Sequence, residues 1–259
     1  MTDLAPSRSG RSFVIDAFPE SVPRHIGRTI VAIDVIRATT FAITAIATGR
    51  RCIVARDVDD ALEIRDRMGD VLLAGEVAGE QPVGFEMNNS PADLVDRQDL
   101  HRPVVMVSSS GARLMLEAGR ATRRVYVACL RNVTAVVRRL LEQDTDVALI
   151  GAGSRGEFRE EDQICCAWIA DRLMVAGFSP GNSQTLEITE RWRGSTASDI
   201  AMSNSATYLR RSGQLRDLDF IGAHVDDLGL VPSIAGNEVL DADPSSRSTR
   251  RAFASTSRS

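Results

Sequence analysis

"TIVAIDVIRATTFAITAIATG", residues 29 to 49, reads as an apolar strand running straight into an apolar helix. The strand covers 29 to 35. The helix covers 37 to 48, with Ile36, Thr40, Ile43 and Ala47 on one face and Gly49 placed to stop it. A strand without polar alternation is buried on both faces, as in a parallel sheet. Asp34, Arg37, Thr39 and Thr40 crowd the junction, where a carboxylate and a guanidinium are costly unless they have partners.

The same alternation extends outward in both directions. "RCIVAR" (51 to 56), "DVLLAGE" (70 to 76), "RPVVMVSS" (102 to 109), "RRVYVACL" (123 to 130) and "DVALIGAG" (146 to 153) each read as a buried strand. Helical patterns fall at 58 to 69, 111 to 119, 132 to 143 and 160 to 176. The expected class is α/β: three layers, α/β/α, with helices on both faces of a largely parallel sheet. After Gly177 the rhythm changes to polar linkers, one helix around 198 to 212 and a short final strand near 228 to 231, a smaller closing element. Residues 1 to 28 form an N-terminal segment, 29 to 240 the α/β domain, and 241 to 259 a Ser/Arg-rich tail too poor in apolar residues to stay ordered.

Composition narrows the function classes. A net charge of -4 with 2 Trp and 2 Tyr leaves neither the basic face nor the stacking aromatics of a nucleic-acid binder. No apolar run approaches the roughly 20 residues of a membrane span. The start lacks the apolar core of a secretory signal, so a cytoplasmic location is expected. Cys52, Cys129, Cys165 and Cys166 suit reduced, buried small hydrophobes, with Cys129 as a lesser alternative nucleophile.

In a parallel sheet, ligands bind beyond the carboxyl ends of the strands. Here those positions hold Asp34 to Thr40, then Glu76 with the loop carrying Asn89 and Ser90, then "SSSGAR" at 108 to 113, Asn132, and "AGSRGEFREED" at 152 to 162. Hydroxyls, helix-start amides and arginines cradle a phosphate-like anion. The carboxylates would repel it unless a divalent cation lay between, and Mg2+ is the hard cation that oxygen ligands and phosphate share. Mg2+-assisted phosphoryl transfer is the sharpest reading.

Each element also has a plainer role. Thr39 and Thr40 can cap a helix, Ser108 to Ser110 can end a strand, and "REED" can be a solvated first turn, at odds of roughly two to one for structure in each case. Asp34 beside Arg37 is the stronger functional candidate. Gly151, Gly153 and Gly156 fit a dinucleotide-binding spacing. About 20 residues on, however, "RLMVAG" stands where an acidic residue should close a second strand, so nucleotide binding ranks second.

Taken in order, "VAIDVIRATT", "GE", "GFEMNNSPADL", "SSSGARL", "RN" and "GAGSRGEFREED" resemble the 2-phosphosulfolactate phosphatase family over about residues 29 to 232. The most specific pieces lie at 34 to 40, 84 to 91 and 156 to 162. The resemblance implies two related halves, about 29 to 120 and 121 to 240, flanking a cleft. It also implies Mg2+-dependent hydrolysis of a phosphate ester such as 2-phosphosulfolactate or a related 2-phospho acid, and a link to coenzyme M biosynthesis. Three departures stand out: Val77 replaces a basic residue, "VSSSGA" puts Ser110 and Ala112 where the family has an amide and a hydroxyl, and Arg159 and Glu160 replace Ser-Leu.

The expected site follows from the strand ends. Asp34 and Arg37 are catalytic; Asp34, Glu76, Glu161 and Asp162 hold or support Mg2+. Thr39, Thr40, Asn89, Ser90, Ser109, Ser110, Gly111, Arg113, Asn132, Gly153 and Gly156 bind a small phosphorylated acid. The competing classes are a non-catalytic anion- or nucleotide-binding protein of the same fold and a nucleotide-dependent oxidoreductase. A homodimer is common for an acidic α/β enzyme of this size.

Overall fold

The computed structural model describes residues 10 to 153 and 156 to 242. Most of the expected tail, together with Ser154 and Arg155 of the glycine loop, lies outside those residues. The chain opens with β1 (Ser12–Asp16), a 3-10 helix (Pro19–His25), β2 (Thr29–Ile33), α1 (Ala38–Ala47), β3 (Cys52–Val54), α2 (Val58–Met68) and β4 (Leu72–Gly75). There follow α3 (Pro91–Asp96), β5 (Val104–Val107), α4 (Gly111–Ala121), β6 (Val125–Ala128), α5 (Val133–Leu141), β7 (Val147–Gly151) and α6 (Glu160–Val175). The remainder is β8 (Ser179–Pro180), α7 (Ser183–Arg191), α8 (Asn204–Arg211), α9 (Leu215–Ala223), β9 (Pro232–Ala235) and β10 (Glu238–Asp241).

All ten strands join one sheet in the order β4-β5-β3-β10-β9-β6-β2-β7-β1-β8. Within β6-β2-β7-β1-β8, and again within β4-β5-β3, neighbours are parallel. The hairpin of β9 and β10 lies between these sections and is antiparallel to both. The two parallel sections therefore run in opposite senses.

Side-chain alternation along β2 builds the layers. Ile30 and Ala32 pack with Phe41 and Ala42 of α1 and Leu114 and Met115 of α4. Val31 and Ile33 face the other way, onto Val136 and Leu140 of α5 and Ile164 and Ile169 of α6. A third cluster joins Ile53, Leu73 and Val105 to Ala61 and Ile64 of α2. Helix α1 is buried on almost every side, which explains why its sequence is apolar all round.

The six strands read from the sequence are β2 to β7, and α1, α2, α4, α5 and α6 agree with the expected helices to within a turn, whereas α3 falls in a stretch expected to be loop. The chain ends differ. Residues 12 to 16, read as part of an N-terminal segment, form β1, parallel to β7 and β8. The strand expected near 228 to 231 is instead a connection, and the pairing falls on β9 and β10 around Gly236 (φ +64°). The helix expected around 198 to 212 is broken at Ser203, which ends a 3-10 turn (Ala197–Met202) and caps α8 through its hydroxyl.

Candidate active site

A cleft of about 1050 Å³ is lined by residues that follow β1, β2, β4, β5 and β7, so the carboxyl ends of both sheet sections open onto it. Asp34, one residue past β2, is 7% exposed and accepts a hydrogen bond from the Ala38 amide at 3.2 Å. Its other oxygen lies against the start of α4, where a Cβ added to Gly111 would sit 2.2 Å from Asp34 Oδ2. Only glycine lets the helix start and the carboxylate share this space. Burial pushes the Asp34 pKa up to about 7, helped by the charges of Glu76 and Glu161 and opposed by the Ala38 amide and Arg159.

Two carboxylates in the first turn of α6 behave differently from each other. Asp162 is buried and bridges two strand ends, accepting from the Val35 amide at 2.8 Å and the Ala152 amide at 3.0 Å. Burial, then Asp34 and Glu161, raise its pKa. Glu161 is 1% exposed, and neither of its carboxylate oxygens has a hydrogen-bond partner. Burial raises its pKa as well, while the hydroxyls of Ser205 and Ser203 lie near enough to favour the charged form.

On the facing wall, Glu76 is fully engaged. It accepts from Ser108 Oγ (3.1 Å), the Ser109 amide (2.7 Å), Ser109 Oγ (2.9 Å) and the Gly79 amide (2.7 Å). Ser109 Oγ also accepts from the Ala78 amide, so these two residues pin the 76–80 loop to the β5–α4 turn. Ser110 caps α4 without a side-chain hydrogen bond. The adjoining helix-start amides have no partner inside the helix, and Gly111 among them lies against Asp34. Asn89 also lines the cleft, with a buried Oδ1 that has no partner. Arg113 stands at the mouth, paired with Glu20 and Glu117.

Other expected residues point elsewhere. Thr39 Oγ1 accepts from the Asp34 amide and donates to the carbonyls of Asp34 and Ala128, and Thr40 Oγ1 donates to Val35. Asn132 is fully buried, with its amide on Val127 and Leu230 and its oxygen on Cys129. These three groups hold the frame of the site. Ser90 caps α3 and donates to Asp217. Gly153 and Gly156 line the cleft, but a Cβ on Gly153 would lie 2.4 Å from the Ala17 carbonyl, and α6 begins only at Glu160. Backbone packing therefore accounts for Gly153, and the glycine loop does not open directly into a helix as a dinucleotide turn does. Cys129 is fully buried and burial pushes its thiol up to about 11, which disfavours the thiolate a nucleophile requires.

Arg37 lines the cleft, and its ion-pair partner is Asp217 of α9 at 2.5 Å. Asp217, Arg159, Tyr208 and the serines beside Glu161 are the groups that sequence reasoning missed. Asp217 sits in "QLRDLDF", which resembles any solvated helix face, and Tyr208 reaches Gly79 across the cleft only in the folded chain. Among the described residues, no group of three or more His, Cys, Asp or Glu side chains is gathered closely enough to enclose a metal ion. Nor is any described helix long and apolar enough to cross a membrane.

The family model described as 2-phosphosulpholactate phosphatase matches residues 16–237. The chain is similar to a Deinococcus radiodurans protein named "Probable 2-phosphosulfolactate phosphatase", with 30% identity over 88% of this chain and 95% of the relative. Relatives carrying the same name are found in Symbiobacterium thermophilum (31%, covering 83% and 94%) and Pseudothermotoga lettingae (28%, covering 87% and 97%).

Proposed function

Because the chain belongs to the 2-phosphosulpholactate phosphatase family, we propose that its cleft hydrolyses a small phosphate monoester of a hydroxy acid. 2-Phosphosulfolactate is the first candidate, releasing the hydroxy acid and phosphate. One observation carries this reading: a buried carboxylate, Asp34, sits against the open amino end of α4, so an acid group and an anion cradle meet at one point. The amides that start α4, the Ser110 hydroxyl and the Asn89 side chain are the groups suited to phosphate oxygens. Arg37 adds a cation that is already held in place.

Mg2+ is part of the proposal, and the donors fit a hard cation. The Glu161 carboxylate is buried with only the Ser203 and Ser205 hydroxyls close by, and its charge acts on Asp34. Since no set of three such side chains is gathered among the described residues, Asp34 and Glu161 would hold the ion, with water and the phosphate itself completing its shell. Asp162 and Glu76, bound to amides and hydroxyls, would contribute charge and rigidity. Once bound, the ion would neutralise the carboxylates against the phosphate and polarise the ester. A cytoplasmic setting and a homodimer go with this reading; the four buried free cysteines suit a reducing compartment.

The test is phosphate release from a panel of small phosphate esters, with Mg2+ and with chelator, for the native chain and Asp34→Asn. Mg2+-dependent release that Asp34→Asn lowers by about a thousandfold or more, with the fold intact, is the expected result. Turnover surviving in Asp34→Asn would remove Asp34 from the chemistry. An acid quench distinguishes attack by Asp34, which leaves a phosphoenzyme, from metal ligation, which does not.

A further inference from the structure

Arg37 is held by more than its ion pair. Nη1 donates to Asp217 Oδ2 and to Gln214 Oε1, each at 2.5 Å, and Nη2 donates to Asn88 Oδ1 at 2.9 Å. Asp217 is itself over-determined: at 2% exposure, its Oδ1 accepts from Ser90 Oγ at 2.6 Å and from the Ala92 amide at 3.2 Å. Asn88, Ser90, Gln214 and Asp217 line a second, smaller cavity of about 370 Å³, and Arg37 does not. Arg37 lines the main cleft, where Asn88, Gln214 and Asp217 are absent. The guanidinium is thus gripped from the side away from the cleft.

We propose that Asp217 is a positioning residue for the phosphate site. It fixes the Arg37 fork from behind, so that the remaining edge of the guanidinium is presented to the substrate's anion before substrate arrives. This rests on the reading that the cleft binds a phosphate group. An arginine side chain loses considerable rotamer freedom when it grips a ligand, and one already locked by a buried carboxylate has lost that freedom on folding. The same carboxylate ties α9 and the start of α3 to the start of α1, so the closing segment sets the aim of a group in the cleft.

A double-mutant cycle read by titrating inorganic phosphate into the full chain tests the inference, using native protein, Arg37→Lys, Asp217→Asn and the double variant. Arg37→Lys keeps the charge and loses the planar fork, so it should weaken phosphate about tenfold in the native background. In the Asp217→Asn background, where the fork is no longer aimed, the same change should cost less than about twofold. A tenfold loss in both backgrounds would make Asp217 purely structural and overturn the inference, leaving Arg37 as a phosphate ligand. No effect of Arg37→Lys in the native background would overturn the Arg37 assignment and this inference with it, without touching Asp34. Should Asp217→Asn fail to fold, Ser90→Ala removes the shorter of the two hydrogen bonds to Asp217 Oδ1 and keeps the ion pair. It should reduce the Arg37→Lys penalty to about threefold, and an undiminished tenfold penalty would again overturn the inference.

Discussion

Glu76, which lines the cleft just past β4, and Glu161, buried in the first turn of α6, are the two glutamates whose charges act on Asp34. Glu76 accepts hydrogen bonds from two hydroxyls and two amides, whereas the Glu161 oxygens have only the hydroxyls of Ser203 and Ser205 close by. A carboxylate with all its lone pairs engaged is fixed and satisfied; its energetic role is to hold a loop. A buried carboxylate short of donors is costly when charged, and the cost is relieved by keeping its proton or by taking up a cation. The two glutamates are therefore suited to separate jobs, Glu76 to framing a loop and Glu161 to meeting a ligand.

The widest separation should come from paired substitutions. Glu161→Gln is expected to lower Mg2+-dependent turnover on the order of a hundredfold and to raise the Mg2+ concentration needed for half-activity, with an unchanged or higher melting temperature, because an uncompensated buried charge is removed. Glu76→Gln should do the reverse. Its Mg2+ requirement stays put while stability falls by about 1–3 kcal/mol, since donors in the 76–80 loop lose their acceptor. Turnover and melting scans on both variants check this, and the opposite pattern would exchange the roles of the two glutamates.

A smaller effect sharpens the receptor side alone. Unfolded, Asp34 has the ordinary value of 3.8 and is already charged at pH 5; folded, it keeps its proton up to about 7. Raising the pH from 5 to 8 therefore forces the native state to ionise a buried group, and stability falls by on the order of 2 kcal/mol, or roughly 5 °C in melting temperature. Asp162 and Glu161, raised by burial, act in the same direction. Glu86 and Asp99, held low by hydrogen bonds from Arg102 and Arg97, lose their contribution only in stronger acid, outside this window. Melting scans of the chelated protein at both pH values check the slope; a flat or rising profile would mean that Asp34 is not held protonated.

The mildest test concerns the cap of α4. Ser110→Ala removes a hydroxyl with no protein partner, so melting should hold steady while KM rises a few-fold. A drop in stability with KM unchanged would make Ser110 part of the frame, like Ser109.

Much of the site was legible before folding. The run at 34 to 40 marked a strand-to-helix turn carrying a carboxylate, and that carboxylate does stand in the cleft. Gly111 was legible as a helix start near an anion, although its closeness to Asp34 was not, because that contact joins residues 77 positions apart in the chain. Thr39, Thr40 and Asn132 carried the right chemistry at the right strand ends, yet their polar atoms are bonded to nearby backbone. Residue type and position say that a group can hydrogen-bond; only its neighbours say to what.

By itself, the amino-acid sequence determined the α/β class, the six strands β2 to β7 and the polar ends they carry, because these depend on local periodicity and on burial of whole strands. Tertiary structure decided the rest. The sense in which two parallel sections meet depends on a hairpin that closes the chain 150 residues and more after β3. Residues beyond the carboxyl ends of both sections nevertheless line one cleft. It also gives Arg37 a partner 180 residues away, in a stretch with no distinctive pattern of its own. Long-range pairing leaves no period in the sequence, so an ion pair across the fold stays unread until the chain has folded around it.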